Sequence, residues 1–210
     1  MGRRIYSATS RACVAFDATP ISSPHIKNGT KLSALSPQQL LAQAHLIHSS
    51  EAVVAAIARL SQEITESLQG VCPVVICVMG GGIVFAGQLL TQLNFPLEVD
   101  YVHASRYQNN TAGKALSWQA LPKLDLNNRT VLLVDDILDE GITLLAIKEK
   151  CLTLGANHIF SAVLLEKKLP HSKPIAAEFV GLEVPNRYVF GYGMDVYGWW
   201  RNLPAIYALE

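Results

Sequence analysis

Several features that this sequence lacks narrow its class before any motif is considered. Its four cysteines are scattered, with no Cys-x-x-Cys pair and no Cys/His metal-ligand spacing. No apolar run approaches the roughly 18 residues that a membrane-spanning helix needs. Lys plus Arg and Asp plus Glu both number 17, so no overall basic charge favours nucleic-acid binding. We therefore expect a cytoplasmic protein with reduced thiols and with neither a membrane nor a nucleic-acid partner.

The composition and length predict one globular domain behind a leader. Half of the 210 residues are hydrophobic and 16% are charged, which is enough apolar material for a sizeable core. Residues 1–35 differ from the rest, because an arginine-bearing start is followed by a Pro/Ser/Thr-rich stretch. We expect 1–35 to be a poorly ordered leader and 36–210 to be the domain. The irregular, aromatic- and glycine-rich part from 170 to 210 predicts a small hood over the sheet.

Strand and helix patterns alternate along the domain. Ser36 and Gln39 have the spacing of a capping box, so a helix is expected to begin there. His45 and His48 are predicted to lie on this helix and the next one, as ordinary surface histidines. Apolar runs without polar alternation, such as 73–79, indicate strands buried on both faces. This alternation predicts an α/β fold with a parallel-centred sheet flanked by helices.

One acidic stretch stands out as the organising feature of the chain. Four apolar residues, 131–134, read as a buried strand, and four carboxylates follow within six positions. A helix from 144 to 154 comes next. Ligands of open α/β sheets bind at the carboxyl ends of such strands. Backbone amides at a helix start suit a phosphate, and adjacent carboxylates suit hydroxyls or Mg²⁺. The stretch comprises Asp135, Asp136, Asp139 and Glu140, followed by Gly141, Ile142 and Thr143.

The acidic stretch resembles the motif by which phosphoribosyltransferases bind 5-phosphoribosyl-1-diphosphate (PRPP). Three further segments narrow the resemblance to the purine enzymes of the hypoxanthine/guanine type, which have the type I phosphoribosyltransferase fold. Together the matches span about residues 36–209 in the family's order. The further segments are Val78-Met79-Gly80-Gly81, Ser105-Arg106-Tyr107, and Tyr188 to Asp195 with Arg201-Asn202-Leu203.

The resemblance implies a set of PRPP-binding residues. Asp135 and Asp136 would hold the ribose hydroxyls, with Mg²⁺ bridging the hydroxyls and the diphosphate. Asp139 would lie near the purine N7 as the catalytic proton-transfer group. The 5-phosphate would lie against the turn made by Asp139, Glu140, Gly141, Ile142 and Thr143, and the diphosphate against Met79, Gly80 and Arg201.

The resemblance also implies how the base would be bound. Lys167 would donate to the 6-oxo group, Tyr188 would stack on the ring, and Val189 would bond the ring through its backbone. Asp195 would border the purine and ligate a second Mg²⁺. The polar residues 104–117 indicate a lid over the reacting centre, carried by Ser105, Arg106 and Tyr107.

Two positions depart from the family's pattern. Many relatives have Lys where Met79 stands, so one cation that would meet the diphosphate is missing here. Many also have Thr where Glu140 stands. Glu140 places a carboxylate beside an expected phosphate site, so its side chain should turn outward. The backbone amides of both turns remain available at either position.

The resemblance implies a Mg²⁺-dependent enzyme of purine salvage. It would transfer the phosphoribosyl group from PRPP to hypoxanthine or guanine, giving IMP or GMP and diphosphate. A homodimer or homotetramer is expected by analogy. Two alternatives stay open at this point: a xanthine-preferring relative, and a PRPP-binding regulator of the same fold without catalysis. Asp139 beside both ribose-binding acids favours the enzyme.

Overall fold

Two β-sheets organise the part of the chain that the computed structural model describes, residues 35–106 and 116–209. The four helices of this part are α1 (Pro37–Ala42), α2 (Ser50–Leu68), α3 (Gly82–Leu90) and α4 (Ile142–Thr153). The strands are β1 (His45–His48), β2 (Val74–Met79), β3 (Glu98–Arg106), β4 (Leu116–Ala120), β5 (Thr130–Leu138), β6 (His158–Lys167), β7 (Phe179–Val184), β8 (Val189–Phe190) and β9 (Ile206–Ala208).

The larger sheet has the parallel centre that the sequence predicts. Its strand order is β4-β3-β2-β5-β6-β7, and every neighbouring pair is parallel except the pair of β3 and β4. Strand β5, which contains the first two acids, lies between β2 and β6. Its carboxyl end therefore opens beside the carboxyl ends of two other parallel strands, where ligands of such sheets bind.

Both faces of this sheet are buried, which explains the continuous apolar runs in the sequence. On β2, Val75 and Cys77 pack into the core beneath α2 and α3. The alternating residues Val74, Ile76 and Val78 pack into the core on the face covered by α4. Successive strand side chains point to opposite faces, so a strand between two helical layers needs apolar residues at every position. The prediction of an α/β fold with a flanked, parallel-centred sheet is confirmed.

The first helix begins where the sequence predicts but ends sooner. Ser36 Oγ accepts from the Gln39 amide and Gln39 Oε1 accepts from the Ser36 amide, so the capping box is present. Helix α1 ends at Ala42, and both predicted helical histidines lie instead on β1. The placement of His45 and His48 on helices was wrong. The cause is pairing with β9, in which His45 lies opposite Ala208.

The smaller sheet joins distant parts of the chain. Its order is β1-β9-β8 with antiparallel pairs, so it takes one strand from before α2 and two from the last quarter. Trp200 Nε1 donates to Pro37 O at 2.7 Å, which fixes α1 to the same unit. Leu40 and Phe190 share its buried core. We call this unit, α1 with β1, β8 and β9, the hood.

Two boundaries differ from those that the sequence predicts. Strand β3 continues to Arg106 and β4 begins at Leu116, so the ends of the expected lid segment 104–117 pair as an antiparallel ribbon. Helix α4 begins two residues earlier than predicted, at Ile142. Residues 107–115 and the expected leader up to residue 34 lie outside the described residues.

None of the described helices combines the length and the apolar character that a membrane crossing requires.

Candidate active site

The candidate site is a cleft at the carboxyl ends of β2, β5 and β6. Strand β5 passes through both leading acids and ends at Leu138, four residues beyond the strand end indicated by the sequence. Met79 ends β2, and Lys167 ends β6. The cleft has two adjoining lobes, which share Asp136 and Asp139. We call them the phosphate lobe and the base lobe, for the groups that the sequence assigns to them.

Asp135 and Asp136 form a pair of adjacent carboxylates, of which Asp135 is buried and Asp136 is half-buried. Asp135 is 8% exposed and its Oδ1 accepts from the Asp136 amide at 2.9 Å, while Asp136 Oδ1 accepts from the Ile137 amide at 2.8 Å. Burial, and then the neighbouring charge of Asp136, raise the pKa of Asp135 well above its usual value. Burial also raises the pKa of Asp136, although hydrogen bonds and the charge of Arg201 oppose this. A cation bound beside these two carboxylates would compensate their negative charge.

The turn after β2 comes very close to this pair. The Met79–Gly80 peptide bond is cis. A Cβ built on Gly81 would lie 1.6 Å from Asp136 Oδ2, so only glycine allows this approach. Met79 and Gly81 line the phosphate lobe, and a Cβ on Gly80 would meet no described atom within 4 Å. The turn predicted to bind diphosphate therefore stands directly over the predicted ribose-binding acids.

The turn between β5 and α4 forms the other wall of the phosphate lobe. Gly141 has φ of +79°, which reverses the chain and lets α4 start at Ile142. Its N-cap residue, Gly141, has no side chain that could bond the first amides of the helix, and amides at a helix start suit an anion. Asp139, Glu140, Gly141 and Thr143 line the lobe, whereas Ile142 does not. We call residues 139–143 the phosphate loop.

The base lobe brings together the four residues that the sequence assigns to the purine. Its lining contains Tyr188, Val189 and Asp195 from the segment around the hood, and Lys167 from β6. Lys167 Nζ donates to Asp139 Oδ2 at 2.9 Å. The predicted donor to the 6-oxo group and the predicted proton acceptor are therefore direct neighbours. Tyr188 is 53% exposed, which leaves its ring accessible to a stacking partner.

Asp195 and Arg201 form an ion pair at the edge of the base lobe. Arg201 Nη2 lies 2.5 Å from Asp195 Oδ1, and Arg201 Nη1 donates to Gly193 O at 2.6 Å. The other oxygen, Asp195 Oδ2, accepts from the Gly198 amide at 2.7 Å. Tyr188 closes the same edge by donating its hydroxyl to Asp195 O at 3.0 Å. A metal at Asp195 would have to share this carboxylate with Arg201.

Of the predicted lid residues, Ser105 does not line either described lobe. Ser105 lies at the end of β3, with its Oγ 2.7 Å from the Gln119 side-chain amide. Arg106 is the last residue of β3, and Tyr107 lies outside the described residues. Of this end of β3, Ala104 lines the phosphate lobe.

Sequence reasoning missed three neighbours of the phosphate lobe. The sequence marks Gly81 only as part of a turn, but in the structure the side chain of Asp136 occupies the space where a Cβ of residue 81 would lie. His171 Nε2 lies 3.0 Å from Glu140 Oε2, and Lys173 Nζ donates to Leu138 O at 2.9 Å. His171 and Lys173 lie on an irregular connection between β6 and β7, where no periodicity or motif marks them.

The chemistry of the donor set fits Mg²⁺ bound together with a substrate. Within residues 35–106 and 116–209, no cluster of three or more His, Cys, Asp or Glu side chains could hold a metal by itself. Mg²⁺ is usually held by one or two carboxylates together with water and substrate phosphates. The electron-rich pair of Asp135 and Asp136 provides two such carboxylates beside the phosphate loop.

A parallel sheet with paired acids at the carboxyl end of a central strand, a glycine turn over them and a helix start opposite defines a ligand-binding α/β protein. Comparison with protein families makes this specific. Residues 44–197 match the phosphoribosyl transferase domain model. The chain therefore belongs to the phosphoribosyltransferase family.

Individual relatives agree with this assignment. The chain is 33% identical over 164 residues to the hypoxanthine-guanine phosphoribosyltransferase of Bacillus subtilis, covering 77% of this chain and 91% of that protein. It is 32% identical over 168 residues to the hypoxanthine-guanine-xanthine enzyme of Tritrichomonas foetus, covering 79% and 91%. A crystal structure of the hypoxanthine phosphoribosyltransferase of Staphylococcus aureus superposes with a TM-score of 0.76 at 25% identity, covering 84% of this chain and 97% of that chain. The type I fold predicted from the sequence is thereby confirmed.

Proposed function

We propose that this protein is a purine-salvage enzyme that transfers the phosphoribosyl group of PRPP to hypoxanthine or guanine. The observation that carries the proposal is the contact of Lys167 with Asp139, 2.9 Å apart between the base lobe and the phosphate lobe. A 6-oxopurine needs a hydrogen-bond donor at its oxygen and an acceptor for the proton that its ring loses. These two side chains supply both.

The phosphate lobe supplies the PRPP site in this proposal. The amides of the phosphate loop bind the 5-phosphate, because backbone donors at a helix start favour an anion. The hydroxyl of Thr143 lies at the same turn. Asp135 and Asp136 accept from the ribose hydroxyls. The cis turn at Met79–Gly80 and the guanidinium of Arg201 meet the diphosphate, in which negative charge develops as it leaves.

The base lobe supplies the attacking nitrogen. Tyr188 stacks on the purine, the Val189 backbone bonds its edge, and Lys167 donates to the 6-oxo oxygen. As the bond from ribose C1 to the diphosphate oxygen breaks, the purine nitrogen forms the new bond to C1. The ring proton passes to Asp139, whose carboxylate is held nearby by Lys167. The products are the nucleoside monophosphate and diphosphate.

The metal would be Mg²⁺, with one ion held at Asp135 and Asp136 and a second at Asp195. Bound there, Mg²⁺ would offset the negative charge of the leaving diphosphate. Arg201 already pairs with Asp195, so this arginine and the metal would share the work of charge neutralisation.

Lys167 also sets the base preference. Its ammonium can donate but cannot accept, so it gains a hydrogen bond from a 6-oxo oxygen and none from the 6-amino group of adenine. Its side chain is only 12% exposed. With adenine, two donors would face each other in a poorly solvated position, and this cost separates 6-oxopurines from adenine.

An assay of PRPP and Mg²⁺ with hypoxanthine, guanine, xanthine and adenine tests the proposal. We expect IMP and GMP to form, and AMP to form at least about a hundredfold more slowly. Faster turnover of xanthine than of guanine would make the protein a xanthine-preferring relative. PRPP binding without any nucleotide product would instead identify a regulator that kept the fold.

We also propose that the protein assembles as a homodimer or homotetramer. Val99 and Tyr101 lie on the same face of β3 and are 52% and 41% exposed, an apolar pair at the sheet surface. Changing Tyr101 to Asp should lower the mass measured by light scattering. Leu152→Asp, at a similarly exposed residue on α4, is the matched control and should keep the assembly.

A further inference from the structure

The segment that joins β6 to β7, residues 168–178, touches the phosphate loop from outside the cleft. We call this segment the connector. It contacts the end of β5 at Leu138, the loop itself at Glu140, and the turn at Gly141. The connector thus makes three contacts within residues 138–141, although most connecting segments of this kind only run over the surface. The role of these contacts rests on the proposed function, in which the loop binds the 5-phosphate of PRPP.

The contact at Leu138 is made by a buried lysine. Lys173 is 9% exposed, and its Nζ donates to Leu138 O at 2.9 Å and to Glu166 Oε1 at 3.3 Å. A lysine is rarely buried without compensation, because its charge loses hydration. Here the ammonium joins the ends of β5 and β6. Leu138 immediately precedes Asp139, so the bond fixes the backbone at the entry to the phosphate loop.

The contact at Glu140 pairs its carboxylate with a histidine of the connector. His171 Nε2 donates to Glu140 Oε2 at 3.0 Å, from the connector side of the loop. A free carboxylate within the loop would repel a phosphate placed on the neighbouring amides. The pair is exposed, at 56% and 41%, so as a salt bridge it adds little to stability. The effect of the pair is instead to fix the direction of the Glu140 carboxylate.

The contact at Gly141 leaves little room for the loop to shift. A Cβ on this residue would lie 3.1 Å from Ile175 Cγ2 and 3.4 Å from Pro174 Cδ. Ile175 also packs against the apolar core beneath α4. The turn thus rests on a part of the connector that is itself anchored in the core.

We propose that His171 and Lys173 are positioning residues for PRPP: Lys173 fixes the entry of the phosphate loop, and His171 holds the Glu140 carboxylate away from the bound phosphate. Neither residue touches the reacting atoms. Both act through the loop, so their loss should change the use of PRPP more than the affinity for the base.

A double-mutant cycle on the exposed pair tests the role of His171. His171→Ala frees the carboxylate and should raise the KM for PRPP by roughly two- to fivefold, the size of one exposed charge interaction. Glu140→Gln should lower this KM, and in the double variant it should cancel the effect of His171→Ala. A KM that stays at the wild-type value in His171→Ala, or a rise that Glu140→Gln does not cancel, would overturn the role of His171.

Lys173 is tested with a matched lysine of the same connector. Lys173→Met keeps the apolar stem and removes the donor, and we expect kcat/KM for PRPP to fall by about tenfold or more. Lys173→Arg should recover part of the loss. Lys168 pairs with Glu183 at 2.6 Å and does not contact the loop, so Lys168→Met is the control. Equal losses in Lys168→Met and Lys173→Met would overturn the role of Lys173, as would a wild-type value in Lys173→Met.

Calorimetric binding of PRPP with Mg²⁺, measured on the same variants, separates this inference from the proposed function. If wild type binds PRPP but forms no nucleotide, the proposed function fails while the variants still report on the loop. If wild type forms IMP and all variants bind PRPP equally, the inference fails alone. A wild type that does not bind PRPP overturns both.

Discussion

Lys167 Nζ lies 2.9 Å from Asp139 Oδ2, so the two groups proposed to act on the purine satisfy each other in the free protein. The lysine side chain is 12% exposed and the carboxylate 44%. The contact therefore places the proposed donor to the 6-oxo group directly beside the proposed proton acceptor. When the base binds, its 6-oxo oxygen must replace Asp139 as the acceptor for Lys167 Nζ, and Asp139 must stay within reach of the purine ring.

The first prediction concerns proton transfer by Asp139. Asp139→Asn keeps the size of the side chain and its contact with Lys167 but removes the proton acceptor. We expect kcat to fall by about a hundredfold or more, since general base catalysis contributes this much. The dissociation constant of PRPP, measured by calorimetry, should stay near the wild-type value. Equal losses in kcat and in PRPP affinity would refute the proton-transfer role.

The second prediction concerns base recognition by Lys167. Lys167→Met should weaken the binding of hypoxanthine by roughly tenfold or more, because a hydrogen bond from a charged donor is lost. The preference for hypoxanthine over adenine should narrow at the same time, because the ammonium that would face the 6-amino group of adenine is gone. Steady-state kinetics with both bases measure this. Lys168→Met, one residue further on, should leave the preference unchanged.

The third prediction links the buried acids to stability. The raised pKa of Asp135 means that the folded state holds its proton more tightly than the unfolded state does. The associated stability is present below the unfolded pKa, about 3.9, and is lost as the pH rises through the folded value. Asp135→Asn should therefore raise the Tm of the ligand-free protein at neutral pH, by roughly 2–4 °C for each kcal/mol gained. This gain should shrink as the pH falls towards 4.

Asp100 provides the opposite-sign control for this prediction. Burial would raise the pKa of Asp100, but bonds from the Leu124, Tyr101 and Lys123 amides outweigh it and hold the pKa below its usual value. Its contribution to stability is present above the unfolded pKa and is lost as the pH falls through the folded value. Asp100→Asn should lower the Tm at neutral pH. Thermal unfolding of both variants between pH 4 and pH 8 decides the matter, and shifts of the same sign would contradict the argument.

The fourth prediction concerns the approach of Gly81 to Asp136. Gly81→Ala would place a methyl group 1.6 Å from the present position of Asp136 Oδ2, so the acid or the turn must move. We expect kcat/KM to fall on the order of a hundredfold, the cost of a displacement of about 1 Å at a reacting centre. Far-UV circular dichroism should remain that of the wild type. Gly87→Ala, where a Cβ meets no described atom within 4 Å, is the control and should stay active.

The local features of this fold could be predicted from sequence because their signals are local. The Ser36–Gln39 capping box needs four consecutive residues, and the buried run of β5 is recognised from the four apolar residues 131–134. The prediction that the histidines of β1 lie on helices failed because the signal for this strand is not local. Their strand exists because it pairs with β9 about 160 residues later, and no short window contains that information.

The candidate site divides in the same way. Its acids and Tyr188 belong to contiguous motifs, and the structure gathers them with Lys167 into one cleft. His171 and Lys173 belong to no motif, because their relation to the phosphate loop arises from the path of the connector across it. The need for glycine at position 81 likewise depends on a carboxylate 55 residues away.

The hood has a consequence for the order in which the protein is made. Strand β9 completes the pairing of β1 and of β8, so the sheet beside Val189 cannot close until residues 206–208 have left the ribosome. The strands and turns around Asp135, up to the end of β6 at Lys167, are synthesised about 40 residues earlier. A nascent chain can thus assemble the phosphate lobe first, and completes the base lobe only with its last strand.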